Sequence, residues 1–114
     1  MKNPYSLRKN ADFKKVYDLG KSRADKYLVM YIFKNGLEIN RLGISVSKKV
    51  GNSVIRHHVT RLVREAYRVN ENLYKKGYDI VVIGRVSSSD ASFHNIEHSM
   101  RKLADSHHIL QKME

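Results

Sequence analysis

The chain has 114 residues and 41% of them are hydrophobic, which is enough for one modest core and predicts a single domain over residues 1–114. Lys and Arg number 22 against 11 acids, so the net charge of +11 favours polyanionic partners through phosphate neutralisation. The absence of cysteine excludes disulfides and thiolate metal sites, and the absence of an 18-residue apolar run predicts no membrane contact and a soluble cytoplasmic protein.

The first predicted element is a short helix. Asn10 is a candidate N-cap, because its side chain can accept a hydrogen bond from the first free N–H groups of a helix. Phe13, Val16 and Tyr17 follow at the spacing i, i+3, i+4, which places them on one stripe. Gly20 is the expected end of this helix.

Two strands are predicted next. Residues 26–33 are rich in aromatic and β-branched side chains, and residues 41–47 alternate between apolar and small polar side chains. The Asn-Gly pair at 35–36 is a turn signal between them, so we expect the two strands to form an antiparallel hairpin. A further short strand fits residues 21–24.

The longest helix is predicted from Ser53 or Val54 to about Val69, because its apolar residues recur at helical spacing. That stripe consists of Val59, Leu62, Val63, Ala66 and Tyr67. Residues 80–83 are an unbroken apolar run, which is typical of a strand covered on both faces. Strand, helix and strand in succession indicate a βαβ unit.

A last helix is predicted from the N-cap candidate Asp90 to about Leu110. Its apolar stripe is Phe93, Ile96, Met100, Leu103, Ala104 and His107. The order is αβββαβα when residues 21–24 are counted as a strand. This order predicts a compact α/β domain of two layers in the α+β manner, with helices packed on a sheet.

The polar side of the long helix is almost entirely basic. Arg61, Arg64 and Arg68 follow one another at i, i+3, i+7, His57 and His58 lie one turn earlier, and Glu65 is the only acid. A solvated helix face usually mixes signs, because opposite charges three or four residues apart attract and like charges repel. A bland exposed face remains the alternative, but this pattern favours polyanion binding.

Further positive charge gathers at the start of this helix. Lys48, Lys49 and Arg56 flank a turn formed by Gly51 and Asn52. The N-terminus of a helix carries about half a positive charge and has free N–H groups, so the turn is a candidate phosphate site. A strand rather than a helix precedes it, which argues against a helix-turn-helix and favours RNA over DNA.

Aromatic and basic residues are interleaved elsewhere in the chain. Single-stranded nucleic acid binds surfaces of this composition, because bases stack on rings while lysines hold the backbone. The alternative for Phe13 is an ordinary place in the core. The residues concerned are Phe13, Tyr17 and Tyr31, with Lys9 and Lys14 among their basic neighbours.

One segment matches a zinc-protease pattern. His94, Glu97 and His98 have the H-x-x-E-H spacing, which would place both imidazoles on one helix face. Five residues match often by chance, and no third ligand is evident, so we predict no metal site on this chain. No other arrangement of residues indicates a self-contained active site, so we predict no catalytic residues.

Four segments of the chain resemble the protein subunit of bacterial ribonuclease P: residues 7–22, 41–56, 61–67 and 79–85, with "SVSKKVGNSVIR" the most specific. The resemblance implies a four-stranded central sheet with a left-handed βαβ crossover, against the usual rule. It also implies a ribonucleoprotein that removes the 5′ leader of precursor tRNA. In it the RNA subunit is the catalyst and uses Mg²⁺, while the protein binds leader and RNA, as a monomer in a 1:1 complex.

The resemblance also assigns two sets of residues. A leader cleft would use Phe13, Tyr17 and Tyr31, with Lys49 nearby. A basic helix facing the catalytic RNA would use Arg56, Arg61 and Arg64, preceded by Lys48, Gly51 and Asn52.

This chain departs from the family pattern where His57, His58 and Thr60 replace Asn, Arg and Lys. Histidine changes charge between about pH 5 and 8, so we expect RNA binding to depend on pH. Two alternatives remain: a non-catalytic RNA-binding module, for instance one associated with the ribosome, and a metalloenzyme using the H-x-x-E-H residues.

Overall fold

A computed structural model describes residues 5–111. They form three helices and four strands, with 3₁₀ turns at Glu71–Leu73 and Val86–Asp90. In chain order the elements are α1 (Asn10–Leu19), β1 (Lys21–Ala24), β2 (Leu28–Lys34), β3 (Arg41–Val46), α2 (Ser53–Asn70), β4 (Tyr78–Gly84) and α3 (Phe93–Ser106). The predicted order αβββαβα is confirmed, including the short strand at 21–24. No helix of residues 5–111 has the length and apolar character that crossing a bilayer requires.

The four strands form one mixed sheet in the order β1-β2-β4-β3. β2 pairs antiparallel with β1 and with β4, and β3 pairs parallel with β4. The predicted hairpin between β2 and β3 is therefore wrong, since β4 lies between them. The cause is the apolar run at 80–83: Ile80, Val81 and Val82 are completely buried, so β4 takes a central position covered on both faces.

The two faces of the sheet are packed differently. Leu28, Met30 and Ile32 of β2 point toward α2 and α3 and belong to the larger hydrophobic core. On the other face, Val16 of α1 and Val81 of β4 form a smaller core with Leu7. The larger core anchors both long helices, and the smaller one leaves part of its face open.

The ends of α1 differ from the prediction in detail. The predicted N-cap Asn10 is already the first helical residue, and Lys9 takes the cap position without a side-chain hydrogen bond. Gly20 does end the helix, with its N–H donating to the Val16 carbonyl at 2.8 Å. A Cβ on Gly20 would lie 2.5 Å from the carbonyl oxygens of Val16 and Ile32, so close packing demands glycine there.

The start of α3 also corrects the prediction. Asp90 ends a 3₁₀ turn, and the N-cap is Ser92. Ser92 Oγ accepts from the Asn95 N–H at 3.1 Å, and Asn95 Oδ1 accepts from the Ser92 N–H at 3.0 Å. This reciprocal cap outcompetes a lone aspartate because it satisfies two N–H groups at once. The helix ends at Ser106 rather than near Leu110, and His108 adopts a left-handed φ of 61°.

Helix α2 agrees with its predicted bounds. It spans 18 residues and buries the predicted stripe, with Leu62 only partly covered. Asn52 is its N-cap, with Oδ1 accepting from the Ile55 N–H at 3.0 Å. Before α1, residues 5–7 run alongside β3: the Leu42 N–H donates to the Tyr5 carbonyl at 2.8 Å, and the Leu42 carbonyl accepts from the Leu7 N–H at 2.9 Å.

Candidate nucleic-acid interface

Three aromatic residues predicted as a leader cleft lie together on the open face of the sheet. The rings of Tyr17 and Tyr31 meet edge-on with centroids 5.1 Å apart, and the rings of Phe13 and Tyr17 are 6.3 Å apart. Tyr17 is 36% exposed, while Phe13 and Tyr31 are half-buried. The helical stripe of α1 and the alternation of β2 thus converge into one aromatic cluster that retains exposed ring surface.

Strand β3 forms the floor beside this cluster. The register places Tyr31 beside Val81, and Val81 beside Gly43, along one row of the sheet. The Tyr17 phenol lies near Ser45 of the same strand, and the interaction between them acts on the pKa of the phenol. Burial is the main cause that raises the pKa of the Tyr17 phenol, and this interaction opposes it. The cleft is therefore built by α1, β2 and β3 together.

Sequence reasoning missed Gly43 and Ser45 as members of the cleft. The signal was present, because strand alternation places both residues on the face opposite Leu42 and Ile44. Their smallness leaves room for the aromatic side chains of α1. What the alternation could not reveal is that α1 packs over this part of β3.

The lysines assigned to the cleft have different surroundings. Lys9 is exposed at the start of α1. Lys14 forms an ion pair with Asp18 at 2.6 Å, and this hydrogen bond raises the pKa of Lys14. Nζ of Lys15, a further basic neighbour of these aromatic residues in the sequence, lies 5.4 Å from the Phe33 ring centroid. The charge of Lys14 is thus partly compensated by its own helix.

The turn between β3 and α2 presents two exposed lysines, Lys48 and Lys49. The Val50 N–H donates to the Ser47 carbonyl at 3.1 Å and closes this turn. A Cβ on Gly51 would lie 2.9 Å from the Ile55 side chain, so the glycine lets the chain enter α2 closely. Asn52, predicted to contact RNA, uses its side-chain oxygen as the N-cap of α2.

The polar face of α2 contains the predicted basic residues. Arg61, Arg64, His57 and His58 are all exposed. Neither of the two arginines forms an ion pair within residues 5–111. The two guanidinium groups are therefore available to an anionic partner.

Two other arginines of α2 differ from this pair. Arg68 donates to both carboxylate oxygens of Glu65, at 2.9 and 2.5 Å, so its charge is compensated. Arg56 is half-buried, and its Nε atom is buried without a hydrogen-bond partner among residues 5–111. Thr60, at a departure from the family pattern, donates its hydroxyl to the Arg56 carbonyl at 2.9 Å.

A groove between α2 and α3 adds an aromatic residue to this basic surface. Phe93 is 38% exposed and, with Leu62, Arg61 and Arg64, lines a cavity of about 540 Å³. Its predicted place in the buried stripe of α3 is wrong, because it is the first helical residue and protrudes beyond the core. Helical periodicity is weakest as a guide to burial in the first turn.

The H-x-x-E-H residues of α3 are arranged differently from a zinc site. Glu97 accepts from Asn70 Nδ2 at 3.2 Å and forms an ion pair with Arg101 Nε at 2.9 Å. In residues 5–111, no group of three or more His, Cys, Asp or Glu side chains could hold a metal ion. Glu97 therefore joins α3 to α2, and this arrangement disfavours the metalloenzyme alternative.

These observations define a small basic α+β protein with an aromatic cleft on one sheet face and an arginine-bearing helix joined to it through β3. A family model described as Ribonuclease P matches residues 1–108. The chain therefore belongs to the ribonuclease P protein family, whose members are RNA-binding subunits in the 5′ processing of tRNA and are partners of the ribonuclease P RNA and precursor tRNA.

Individual relatives agree with this assignment. The chain is 50% identical over 109 residues to the ribonuclease P protein component of Lachnoclostridium phytofermentans, covering 96% of this chain and 94% of that one. It is 56% identical over 98 residues to the corresponding protein of Clostridioides difficile, covering 85% and 86%. Among solved structures, the Staphylococcus aureus RNase P protein superposes with a TM-score of 0.88 at 34% identity, covering 96% of this chain and all of that chain.

Proposed function

We propose that this protein is the non-catalytic subunit of ribonuclease P and holds two RNAs at once: the 5′ leader of precursor tRNA in the aromatic cleft and the catalytic RNA on α2. The observation that carries the proposal is the continuity of the two surfaces. β3, which provides Gly43 and Ser45 to the cleft, leads through Lys48 and Lys49 directly into the basic helix.

The cleft suits a single strand rather than a duplex. Stacking of one base on an aromatic side chain contributes about 1–3 kcal/mol and tolerates any sequence, as a variable leader requires. Tyr17 offers the most exposed ring, and the exposed ammonium groups of Lys9 and Lys49 are available to leader phosphates. Lys14 contributes less, because its ammonium group already donates a hydrogen bond to the Asp18 carboxylate.

The basic helix suits a folded RNA. Arg61 and Arg64 present planar guanidinium groups that can bind phosphates through two hydrogen bonds each. Arg56 carries a further guanidinium group at the start of the same helix, where it is half-buried. His57 and His58 extend the same exposed face toward the start of the helix.

Mg²⁺ belongs to the RNA in this proposal. Bound to RNA phosphates, it supplies the activation of water and the charge stabilisation that phosphodiester hydrolysis requires. The chain's own residues bind and orient the RNAs, and its cations reduce the repulsion between leader and catalytic RNA. The proposed complex contains one copy of the protein per RNA and is cytoplasmic.

Reconstitution tests this function. The protein is combined with a bacterial ribonuclease P RNA and precursor tRNA at limiting Mg²⁺, and 5′ cleavage is measured with and without each component. The proposal expects cleavage that the protein stimulates and that is absent without the RNA. RNA binding without stimulation would instead favour the ribosome-associated module, and metal-dependent activity of the protein alone, lost in His98→Ala, would favour the metalloenzyme.

Leader length tests the cleft separately. Wild-type protein should stimulate cleavage of a precursor with a long leader more than cleavage of one with a single-nucleotide leader. Tyr17→Ala should remove about a factor of five or more of this preference, because it removes a stacking surface. Leu37→Ala, at an exposed site in the β2–β3 loop, is the matched control and should leave the preference unchanged.

A further inference from the structure

The groove between the start of α3 and the middle of α2 has a composition unlike the rest of the basic surface. It is lined by Phe93, Leu62, His58, Arg61, Arg64 and Glu65 and has a volume of about 540 Å³. Phe93 and Leu62 form an apolar wall, and two arginines and a histidine stand around it. Proteins that bind unpaired nucleotides combine aromatic side chains with cations in this way.

The position of Phe93 is fixed by the N-terminal cap of α3. It follows the N-cap Ser92, and the reciprocal hydrogen bonds between Ser92 and Asn95 hold the first turn in place. The next apolar residues of α3, Ile96 and Met100, are completely buried, whereas Phe93 keeps 38% of its surface exposed. Single exposed apolar residues are common, so exposure alone assigns no role.

The charges around the ring provide the second, independent observation. Arg61 and Arg64 are exposed and form no ion pair within residues 5–111. The one acid of the groove, Glu65, has both carboxylate oxygens occupied by Arg68. The groove therefore combines positive charge with an aromatic surface. A nucleotide fits both features, because its phosphate binds the cations and its base stacks on the ring.

We infer that an unpaired base of the catalytic RNA stacks on Phe93 while Arg61 and Arg64 bind the flanking phosphates. The inference rests on the proposed function and makes it more specific, because it names a base contact on the helix face otherwise assigned to phosphates. Paired RNA presents no free base face to an aromatic side chain, so the nucleotide must come from a loop, bulge or junction. In this inference Phe93 contacts the RNA directly and selects an unstacked nucleotide.

The chain contains no tryptophan, so Phe93→Trp places a single indole in the groove, which can be excited at wavelengths that the seven tyrosines do not absorb. Titration with a bacterial ribonuclease P RNA should quench or shift its emission, because a stacked base perturbs the indole, and the affinity should stay within about twofold of wild type. Leu37→Trp, at a site 47% exposed in the native chain and in the β2–β3 loop, is the matched control. Its emission should not change on the same titration.

Alanine substitution separates the ring from the charges. Phe93→Ala should weaken binding of the catalytic RNA by about five-fold to a hundred-fold at unchanged salt slope. Arg64→Ala should weaken binding and also lower the slope of log affinity against log salt by about one. Phe93→Leu keeps apolar bulk without a ring, so it should lose most of the affinity while urea unfolding confirms that it folds.

The possible outcomes distinguish this inference from the proposed function. If wild-type protein stimulates cleavage but Phe93→Ala and Phe93→Leu bind the RNA within twofold of wild type, the base contact is disproved and the proposed function stands. Unchanged Phe93→Trp emission in a stimulating complex has the same meaning. If wild-type protein neither binds the RNA nor stimulates cleavage, the proposed function fails, and the inference fails with it.

Discussion

The ring of Phe13 fills the space above Gly43: a Cβ on Gly43 would lie 2.7 Å from Cζ and 2.8 Å from Cε1 of that ring. α1 therefore lies close to β3 because one residue there has no side chain. The contact couples stability to the proposed leader cleft, since any group that fills the space must displace a ring of the aromatic cluster.

Gly43→Ala should lower the free energy of unfolding by about 1–3 kcal/mol through overpacking and should weaken leader binding. Urea denaturation and the affinity for a leader oligonucleotide measure the two effects. Combining it with Phe13→Leu, which removes ring atoms from the clash, should cost less than the sum of the two single changes. Strict additivity would show that residues 13 and 43 do not compete for the same space.

The ion pair between the partly exposed Arg41 and the buried Asp79 should contribute to stability. Asp79 is 2% exposed and accepts from Arg41 Nε at 2.8 Å, from Arg41 Nη2 at 2.7 Å and from Asn35 Nδ2 at 2.9 Å. Asp79→Ala leaves the partly exposed Arg41 guanidinium without its carboxylate, while Asn35 Nδ2 keeps its bond to the Ile39 carbonyl, and should cost about 1.5–3 kcal/mol in urea denaturation. Asp18→Ala, which breaks the exposed pair with Lys14, should cost less than about 1 kcal/mol.

The arginines of α2 should differ in their effect on RNA binding according to whether they form an ion pair. Arg61→Ala and Arg64→Ala should each weaken binding of the catalytic RNA and lower the salt slope by about one, because each removes one phosphate contact. Arg68→Ala should change the slope less, since Glu65 already compensates that charge. Equal slopes for all three variants would mean that Arg68 leaves Glu65 on binding.

RNA binding should strengthen as the pH falls from 8 to 5.5 at fixed salt. The prediction rests on residue type and position, since histidine is the side chain that proteins most often use as a pH switch and His57 and His58 are exposed on the face assigned to the catalytic RNA. Filter-binding titrations should show a flat profile for the double variant His57→Asn, His58→Arg. His94→Asn, on the exposed side of α3, should retain the wild-type profile. A flat wild-type profile would remove the two histidines from the phosphate surface.

Stability should respond to pH through a different histidine. Burial lowers the pKa of His107, assisted by the nearby charges of Arg23, His108 and Lys21, although the bond to the Met30 carbonyl opposes this shift. Because the folded pKa lies below the unfolded value of about 6.5, the neutral form stabilises the fold above that pH. This stability is lost as the pH falls from about 6.5 through the lower folded pKa.

His107→Gln removes the titration but keeps a side-chain donor that can reach the Met30 carbonyl. Urea denaturation at pH 7.5 and pH 5.5 should therefore show a smaller loss of stability on acidification for the variant than for wild type. His98→Gln, at an exposed site on α3, is the control and should lose as much as wild type. An equal loss in all three proteins would exclude His107 as the group responsible.

Local sequence patterns predicted the helices and strands, whereas the order in which the strands pair depends on tertiary packing. Helical spacing located α2 within a residue or so at each end, because its buried stripe and its N-cap lie in one continuous segment. The pairing of β3 was missed because adjacency in the chain favours a hairpin, while the gain from burying β4 on both faces depends on helices distant in sequence.

The candidate site shows the same division. Phe13, Tyr17 and Tyr31 could be grouped from their residue types and basic neighbours. Gly43 and Phe93 could not be assigned to the site from the sequence. Gly43 matters because its lack of a side chain makes room for Phe13, and Phe93 is exposed because it is the first residue of α3. The pair of Glu65 and Arg68 lies at i, i+3 and was readable from spacing alone.

The sheet has two outer edges, and both are poorly suited to pairing with a further strand. All four residues of β1 are exposed, and an identical strand arriving antiparallel with Ser22 opposite its own copy would bring Lys21 of each strand against Arg23 of the other. On the β3 side, the backbone groups of Leu42 are already bonded to residues 5 and 7. The edges of this sheet therefore disfavour strand-to-strand pairing between two copies of the free protein.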